Sequence, residues 1–184
     1  MRLFALLALF VLSNAALASS ELDLALSSDV IALDYRAIND DSGSMWGVGA
    51  MYNDPLSATL ASVSFNVVGQ ATANGEVHTG LGFKGVVHDT FQTAGSIALG
   101  GLVRYQPESL KGFGFSGQLY YAPDILNSND ADQYFEFIAR VSYAVHPHAH
   151  VFLGWTSVNV KYDDPIIKEV EIDQSFNVGF SLKF

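Results

Sequence analysis

The chain has no cysteine and few charged side chains. Without cysteine it can form neither a disulfide framework nor a thiolate metal site, and it offers no attachment point for a lipoprotein anchor. Charged residues make up 15% of the 184 positions, whereas ordinary soluble domains carry about 25%. Acidic residues outnumber basic ones by 19 to 9, which gives a formal net charge of -10. Because such a surface repels phosphates, nucleic acid is not an expected partner.

The chain also lacks a long apolar run, although 49% of its residues are hydrophobic. A membrane-spanning helix needs about 20 consecutive apolar residues, and nothing after the first 18 residues reaches that length. Within those 18, Arg2 precedes the apolar stretch Leu3–Leu12, and the small-residue site Ala16–Ala18 (ALA) follows it. These are the three parts of a signal peptide. We therefore predict a signal peptide at residues 1–18 and a single exported domain at residues 19–184.

Beyond the signal peptide, apolar side chains alternate with polar or small ones at a period of two. The clearest example is SFNVGFSLKF, whose apolar residues are Phe176, Val178, Phe180, Leu182 and Phe184. The same alternation occurs in QYFEFIARVSYAV, GEVHTGLGFKG, LASVSFNVV and DVIALDYR. A period of two is typical of β-strands, because successive side chains point to opposite faces. Clusters of Gly, Pro, Asn and Asp separate the segments and predict turns.

Three features favour a membrane barrel over a soluble one. The alternating segments are long, at about 10 to 15 residues, whereas soluble strands peak near 5 to 6. Aromatic residues lie near segment ends, as in the girdles of membrane barrels. The final segment, whose outward residues are the five just named, resembles the terminal strand that the outer-membrane insertion machinery reads. We predict an all-β, up-and-down antiparallel transmembrane β-barrel in the bacterial outer membrane. A soluble, lipocalin-like periplasmic barrel is the alternative.

The strand count depends on the region before Met45. The turn-rich breaks divide Met45–Phe184 into eight strands. Upstream, Glu21–Leu26 and Val30–Ile38 flank a turn at Ser27–Asp29. As a hairpin in the barrel wall these segments make ten strands, which we favour because their apolar residues need an apolar environment. As a plug or a detached flap they leave eight.

The parity of the strands assigns each turn to one side of the membrane, because such barrels have an even number of strands and periplasmic termini. The turns HPHAH, QPESLKG, GQATANG and NDDSGS fall in the periplasm, and NDPLS, HDTFQTAG, PDILNSND and DDPIIKE fall outside. The outer turns are acidic, with Asp54, Asp89, Asp124, Asp130, Asp132, Asp163 and Asp164. We interpret them as solvated loop tips. The alternative hypothesis is Ca²⁺ or Mg²⁺ binding that bridges to lipopolysaccharide phosphates.

Charged residues on the strands indicate what fills the lumen. A Lys or Arg facing the lipid midplane costs roughly 2–4 kcal/mol, so the charged residues are expected to point inward. The predicted lumen charge network comprises Asp34, Arg36, His78, Lys84, Arg104, Glu136 and Arg140. Since a lumen of eight to ten strands is narrow, we interpret this set as ion pairs that fill the barrel. A gated pore or a catalytic pair is the alternative.

Two further patterns suggest chemistry only weakly. The alternating His146, His148 and His150 could hold a metal, but they lack a carboxylate or thiol and surround a proline, so we interpret them as a polar turn. A lipid hydrolase would need a serine, a histidine and an acid together. His88 and Ser128 lie in different turns, and neither G-x-S-x-G nor H-E-x-x-H occurs. We predict no enzymatic activity, no metal and no cofactor.

Several segments together resemble one family. These are HTGLGFKG, LGGLVRY, GQLYYAPDIL, RVSYAV followed by a histidine turn and LGW, and FNVGFSLKF. They are similar to the YfaZ family of small outer-membrane proteins over Glu21–Phe184, and YYAPDIL (Tyr120–Leu126) is the most specific motif. The resemblance implies an outer-membrane barrel and assigns no activity to particular residues.

The sequence thus predicts an integral outer-membrane barrel with a side-chain-filled polar lumen and a structural or surface-interaction role. Its expected partners are the lipid bilayer, lipopolysaccharide and the insertion machinery. The competing functions are a small channel for ions or solutes, a lipid-modifying enzyme and a soluble periplasmic carrier.

Overall fold

The fold is known from a computed structural model that describes residues 19–39, 42–72, 75–90, 93–128, 131–163 and 169–184. The predicted signal peptide lies outside these residues. Ten strands follow one another, with one short 3₁₀ turn (Asp124–Leu126) between the seventh and eighth. They are β1 (Ser19–Leu26), β2 (Val30–Asn39), β3 (Ser44–Asn53), β4 (Ala58–Thr72), β5 (Gly75–Asp89), β6 (Thr93–Pro107), β7 (Phe113–Ala122), β8 (Ala131–His146), β9 (Ala149–Tyr162) and β10 (Glu169–Lys183). None of the described residues belongs to a helix that is long and apolar enough to cross a membrane.

Each strand pairs antiparallel with its neighbours in the chain, and β1 closes the barrel on β10. At the closing seam, Ser20 and Phe184 exchange two backbone hydrogen bonds of 2.9 Å each. The prediction of an all-β, up-and-down barrel with ten strands is confirmed. The first two strands are a hairpin in the barrel wall and not a plug or a flap.

The barrel has two ends, which differ in their connections. At the terminal end, β1 begins and β10 ends, and the predicted periplasmic turns join β2 to β3, β4 to β5, β6 to β7 and β8 to β9. The loop end carries the remaining turns. One predicted turn is shorter than expected, because β4 continues to Thr72 and β5 already begins at Gly75. Gln70 and Ala71 can both adopt the extended conformation. Strand pairing therefore continues through most of GQATANG.

The outer face of the barrel is apolar. Leu81 and Phe176 are 76% and 79% exposed, and large hydrophobic side chains on every strand point outward with them. Aromatic rings on neighbouring strands contact one another on this face, as Trp46 and Phe65 do with ring centroids 4.6 Å apart. Soluble monomers rarely expose a continuous apolar surface of this extent. The outer face therefore fits a lipid environment.

Two glycines allow the wall to curve tightly around the lumen. Gly82 and Gly100 face each other in register on β5 and β6. A Cβ on Gly82 would lie 1.9 Å from the Phe65 carbonyl oxygen, and one on Gly100 would lie 2.0 Å from that of Leu119. Any larger residue would push the neighbouring strands apart. These glycines keep the lumen narrow enough for side chains to fill it.

Candidate functional site in the barrel lumen

The half of the lumen at the loop end is packed with apolar side chains, which we call the plug. Tyr120, Tyr134, Val158, Val160 and Ile172 have at most 1% of their surface exposed. The complete plug comprises Ala58, Leu60, Val86, Ala94, Ala98, Tyr120, Ala122, Ala131, Tyr134, Val158, Val160, Tyr162, Val170 and Ile172. Small alanines opposite large tyrosines let the two walls interdigitate. The loop half of the lumen is thus filled mainly by apolar side chains, with a few buried polar ones such as His88 and Asp173 among them.

A buried ion pair borders the plug. Lys84 donates to both carboxylate oxygens of Glu136 at 2.8 Å. The same carboxylate accepts hydrogen bonds from the Gln118 amide and the Tyr134 hydroxyl, each at 2.5 Å. In strand register, Glu136 stands opposite two plug residues, one on β7 and one on β9. With its oxygens satisfied by three donors, this carboxylate can stay ionised away from water.

The half of the lumen at the terminal end holds a second, larger charge cluster centred on β1. Glu21 and Asp23 alternate with outward leucines, so both carboxylates point inward. Glu21 accepts from Arg104 at 2.6 Å, from Arg36 at 3.3 Å and from the Ser181 hydroxyl at 2.8 Å. These partners lie on β6, β2 and β10, so one carboxylate ties β1 to three strands.

Asp23 organises the deeper layer of the same cluster. Its Oδ2 accepts hydrogen bonds from Arg36 and, at 2.6 Å, from Arg140 on β8. Arg140 also lies 3.9 Å from Asp34, and its guanidinium stacks on the Phe152 ring at 4.5 Å. A guanidinium over an aromatic face is stabilised by the ring quadrupole. The arginines are thus held by carboxylates on one side and packing on the other.

A cavity of about 80 Å³ lies beside this cluster, and we call it the vestibule. It reaches the terminal end at Gln106, Ser142 and Lys183, which lie near the ends of β6, β8 and β10. Its charged lining residues are Glu21, Asp23, Asp34, Arg36, Arg104, Arg140 and Lys183, and His150 joins them.

The model of the family described as YfaZ precursor matches residues 4–184. This chain belongs to the YfaZ family. The match confirms the resemblance seen in the sequence, and the word precursor fits a protein made with a signal peptide. Among solved structures the YfaZ-family chain is similar to the NanC porin in a rhombohedral crystal form, with 11% identity, a TM-score of 0.38, and coverage of 91% of this chain and 100% of that one. No curated protein matches the chain.

The structure divides the predicted lumen charge network of this YfaZ-family barrel into three places. Lys84 and Glu136 form the pair at the plug. The predicted residues that meet at the vestibule are Asp34, Arg36, Arg104 and Arg140. His78 stands apart, because its only ion-pair contact within the described residues is with the exposed Glu76, at 4.0 Å.

Sequence reasoning missed the acids that hold the arginines together. Glu21 and Asp23 carry most of the ion pairs of the vestibule, yet they were absent from the predicted network. A signal for them was present, since SELDLAL alternates acids with leucines at a period of two. Gln118 and Tyr134, which hold Glu136, were also missed as partners.

The remaining predicted features do not meet in one site. His146 ends β8 and His148 lies in the turn that follows, with ring centroids 5.8 Å apart, whereas His150 lines the vestibule. In the described part of the chain, no three acidic or histidine side chains come close enough to hold a metal ion. Of the acidic loop residues, Asp130 and Asp164 lie outside the described residues.

The two residues weighed for lipid hydrolysis lie in separate environments. His88 is fully buried in the loop half, where its Nδ1 lies 3.3 Å from the Tyr162 hydroxyl. Ser128 is exposed and bonds to the backbone of Gly95 on β6. Within the described residues, no hydrogen bond joins His88 to Ser128.

Proposed function

We propose that this YfaZ-family protein is an integral protein of the bacterial outer membrane whose lumen is sealed to solutes, and that its role is structural or depends on surface contacts. The terminal end faces the periplasm and the loop end faces outward. The observation that supports the proposal is the plug, whose tyrosines, valines and isoleucine are buried against one another in the loop half of the lumen.

The outer face supports membrane integration. Outward hydrophobic side chains such as Val63, Val67 and Leu153 are more than half exposed, at 58%, 62% and 65%. Burying apolar area gains about 25 cal/mol per Å², so transfer of this face from water into lipid is strongly favourable. Its partners are therefore the bilayer and the acyl chains of lipopolysaccharide. The outward residues of β10, from Phe176 to Phe180 and beyond, present the alternating pattern on which the insertion machinery would act.

The lumen supports a sealed barrel in preference to a channel. The vestibule, of about 80 Å³, lies on the terminal side. Between it and the loop end lie first the Lys84–Glu136 ion pair and then the plug. An ion or solute would have to displace close-packed side chains, which protein interiors resist. A catalytic role has no comparable support, since His88 and Ser128 are separated as described above.

Single-channel recording in planar bilayers tests the proposal. The wild-type protein is expected to give no conductance steps. The double variant Tyr120→Ala/Tyr134→Ala removes two buried plug rings and is expected to give steps or a leak. The matched control Tyr121→Ala/Tyr143→Ala removes two outward tyrosines from the same strands, β7 and β8, and should remain silent. Steady conductance from pure wild-type protein would establish a channel and contradict the sealed barrel.

The location has its own test. Membrane fractionation followed by detergent extraction should recover the protein with outer-membrane markers. The folded barrel should also migrate differently before and after boiling on a denaturing gel. Recovery in the soluble periplasmic fraction would favour the carrier alternative.

A further inference from the structure

We propose that the vestibule is a binding site for a small anion, namely a phosphate or carboxylate group presented from the terminal end. Arg104 and Lys183 at its mouth, with Arg36 behind them, are the groups that would hold it. This inference goes beyond the proposed function, because a sealed barrel requires no ligand.

Cationic side chains outnumber carboxylates in the vestibule, although Asp34, with its side chain 28% exposed, is as accessible as Arg104. Four cationic side chains line it, Arg36, Arg104, Arg140 and Lys183, against three carboxylates, Glu21, Asp23 and Asp34. Glu21 and Asp23 are the more deeply buried, with side chains 10% and 3% exposed, whereas that of Arg104 is 24% exposed. Lys183 is half-buried and has no ion-pair partner within the described part of the chain.

The third carboxylate does not neutralise the mouth. Asp34 stands opposite Asp23 in register, two residues deeper than the level of Arg36 and Glu21. Lys183 pairs in register with Glu21, at the shallower level. An anion that enters from the terminal end therefore reaches the cations before it meets Asp34, and attraction between opposite charges is strong where water is partly excluded.

The arginines also have hydrogen-bond donors to spare. Arg36 and Arg104 share a single oxygen of Glu21, and Arg36 and Arg140 share a single oxygen of Asp23. Each guanidinium carries five N–H donors, so most of them are not used by these carboxylates. The Nε atoms of Arg36 and Arg140 and the Nδ1 of His150 are buried without any hydrogen-bond partner. Because these atoms have almost no accessible surface, an anion would accept instead from the unused terminal N–H groups of Arg36 and Arg104.

The donors that line the site select the chemical class. A cavity of about 80 Å³ has room for one phosphate or carboxylate group. The planar fork of guanidinium donors matches the oxygens of both groups, and such charge-assisted bonds are about twice as strong as neutral ones. A free anion and the headgroup of an anionic lipid share this chemistry.

The test is calorimetric titration of the purified full-length barrel, refolded in a non-ionic detergent, with inorganic phosphate against sodium chloride of equal ionic strength. Sodium acetate and dihexanoyl phosphatidylglycerol form two further arms, which distinguish a free anion from a lipid headgroup. Saturable phosphate binding with a matching rise in thermal midpoint is expected. Because the assay needs neither a bilayer nor a conductance, its failure is independent of the sealed-barrel proposal.

Three variants locate the site. Lys183→Gln breaks no recorded ion pair and should weaken phosphate binding about tenfold, and Arg104→Gln should weaken it at least as much. Lys111→Gln removes the same charge from an exposed turn at the same end and should bind as the wild type does. If Arg104→Gln does not refold, Arg104→Lys replaces it, since the loss of the planar fork should still weaken binding. Absence of saturable phosphate binding to the wild type, or unchanged binding by Lys183→Gln and the Arg104 variant, would overturn the proposal.

Discussion

The two halves of the lumen use the same strands in opposite ways. On β8, the inward side chain Tyr134 belongs to the plug, whereas Arg140, further along the strand, belongs to the vestibule. On β9, Val158 and Val160 fill the loop half, whereas His150 lines the terminal half. The loop half is filled by close-packed apolar side chains, and the terminal half is held by ion pairs beside the vestibule. The comparison shows that sealing and polar chemistry are separated along the barrel axis.

The largest effect is expected where the two halves meet. Glu136→Leu leaves the Lys84 ammonium buried without its partner and should lower the free energy of unfolding by about 3–5 kcal/mol. Urea unfolding of the refolded barrel, followed by tryptophan fluorescence and gel migration, measures the change. The double variant Lys84→Met/Glu136→Leu removes both charges and should recover most of the loss. Equal stability of the single and double variants would mean that the pair is not buried as described.

A smaller effect is expected inside the plug. Ile172→Ala removes a side chain that is 1% exposed and should cost about 2–5 kcal/mol, towards the lower end where the surrounding alanines can relax. The matched control, Ile97→Ala, truncates an outward isoleucine that is 54% exposed; it loses contact with lipid or detergent but leaves no internal cavity, so it should cost less than Ile172→Ala. The same urea titrations compare the two. If the two substitutions lowered the free energy of unfolding equally, the loop half would not be closely packed.

The barrel itself could be predicted from the sequence because inward and outward side chains alternate along each strand. Leu81, Phe83 and Lys84 show this, since the first two point outward and the third points inward as their spacing requires. The hairpin of β1 and β2 was likewise predicted, because its apolar residues had no other surface to cover.

The two-residue alternation does not encode the position of a residue along the barrel axis. Arg104 meets Glu21 although 83 positions separate them in sequence, and this pairing depends on strand register and closure. For the same reason His78 was expected in the network, yet it lies near the rim beside Glu76. The apolar plug escaped prediction because its alanines and valines, such as Ala98 and Val158, are inward residues without a polar signature.

The absence of cysteine makes the central comparison directly measurable. Ala98 and Gln106 both point inward on β6, Ala98 fully buried in the plug and Gln106 exposed at the vestibule. Single Ala98→Cys and Gln106→Cys variants, treated in the folded state with a charged, membrane-impermeant thiol reagent, report water access at each height. Labelling in urea provides the control, because both thiols should then react.

Our account predicts rapid labelling of Gln106→Cys and negligible labelling of Ala98→Cys in the folded barrel. Comparable labelling rates at the two positions would show that water passes through the loop half, and the barrel would then not be sealed.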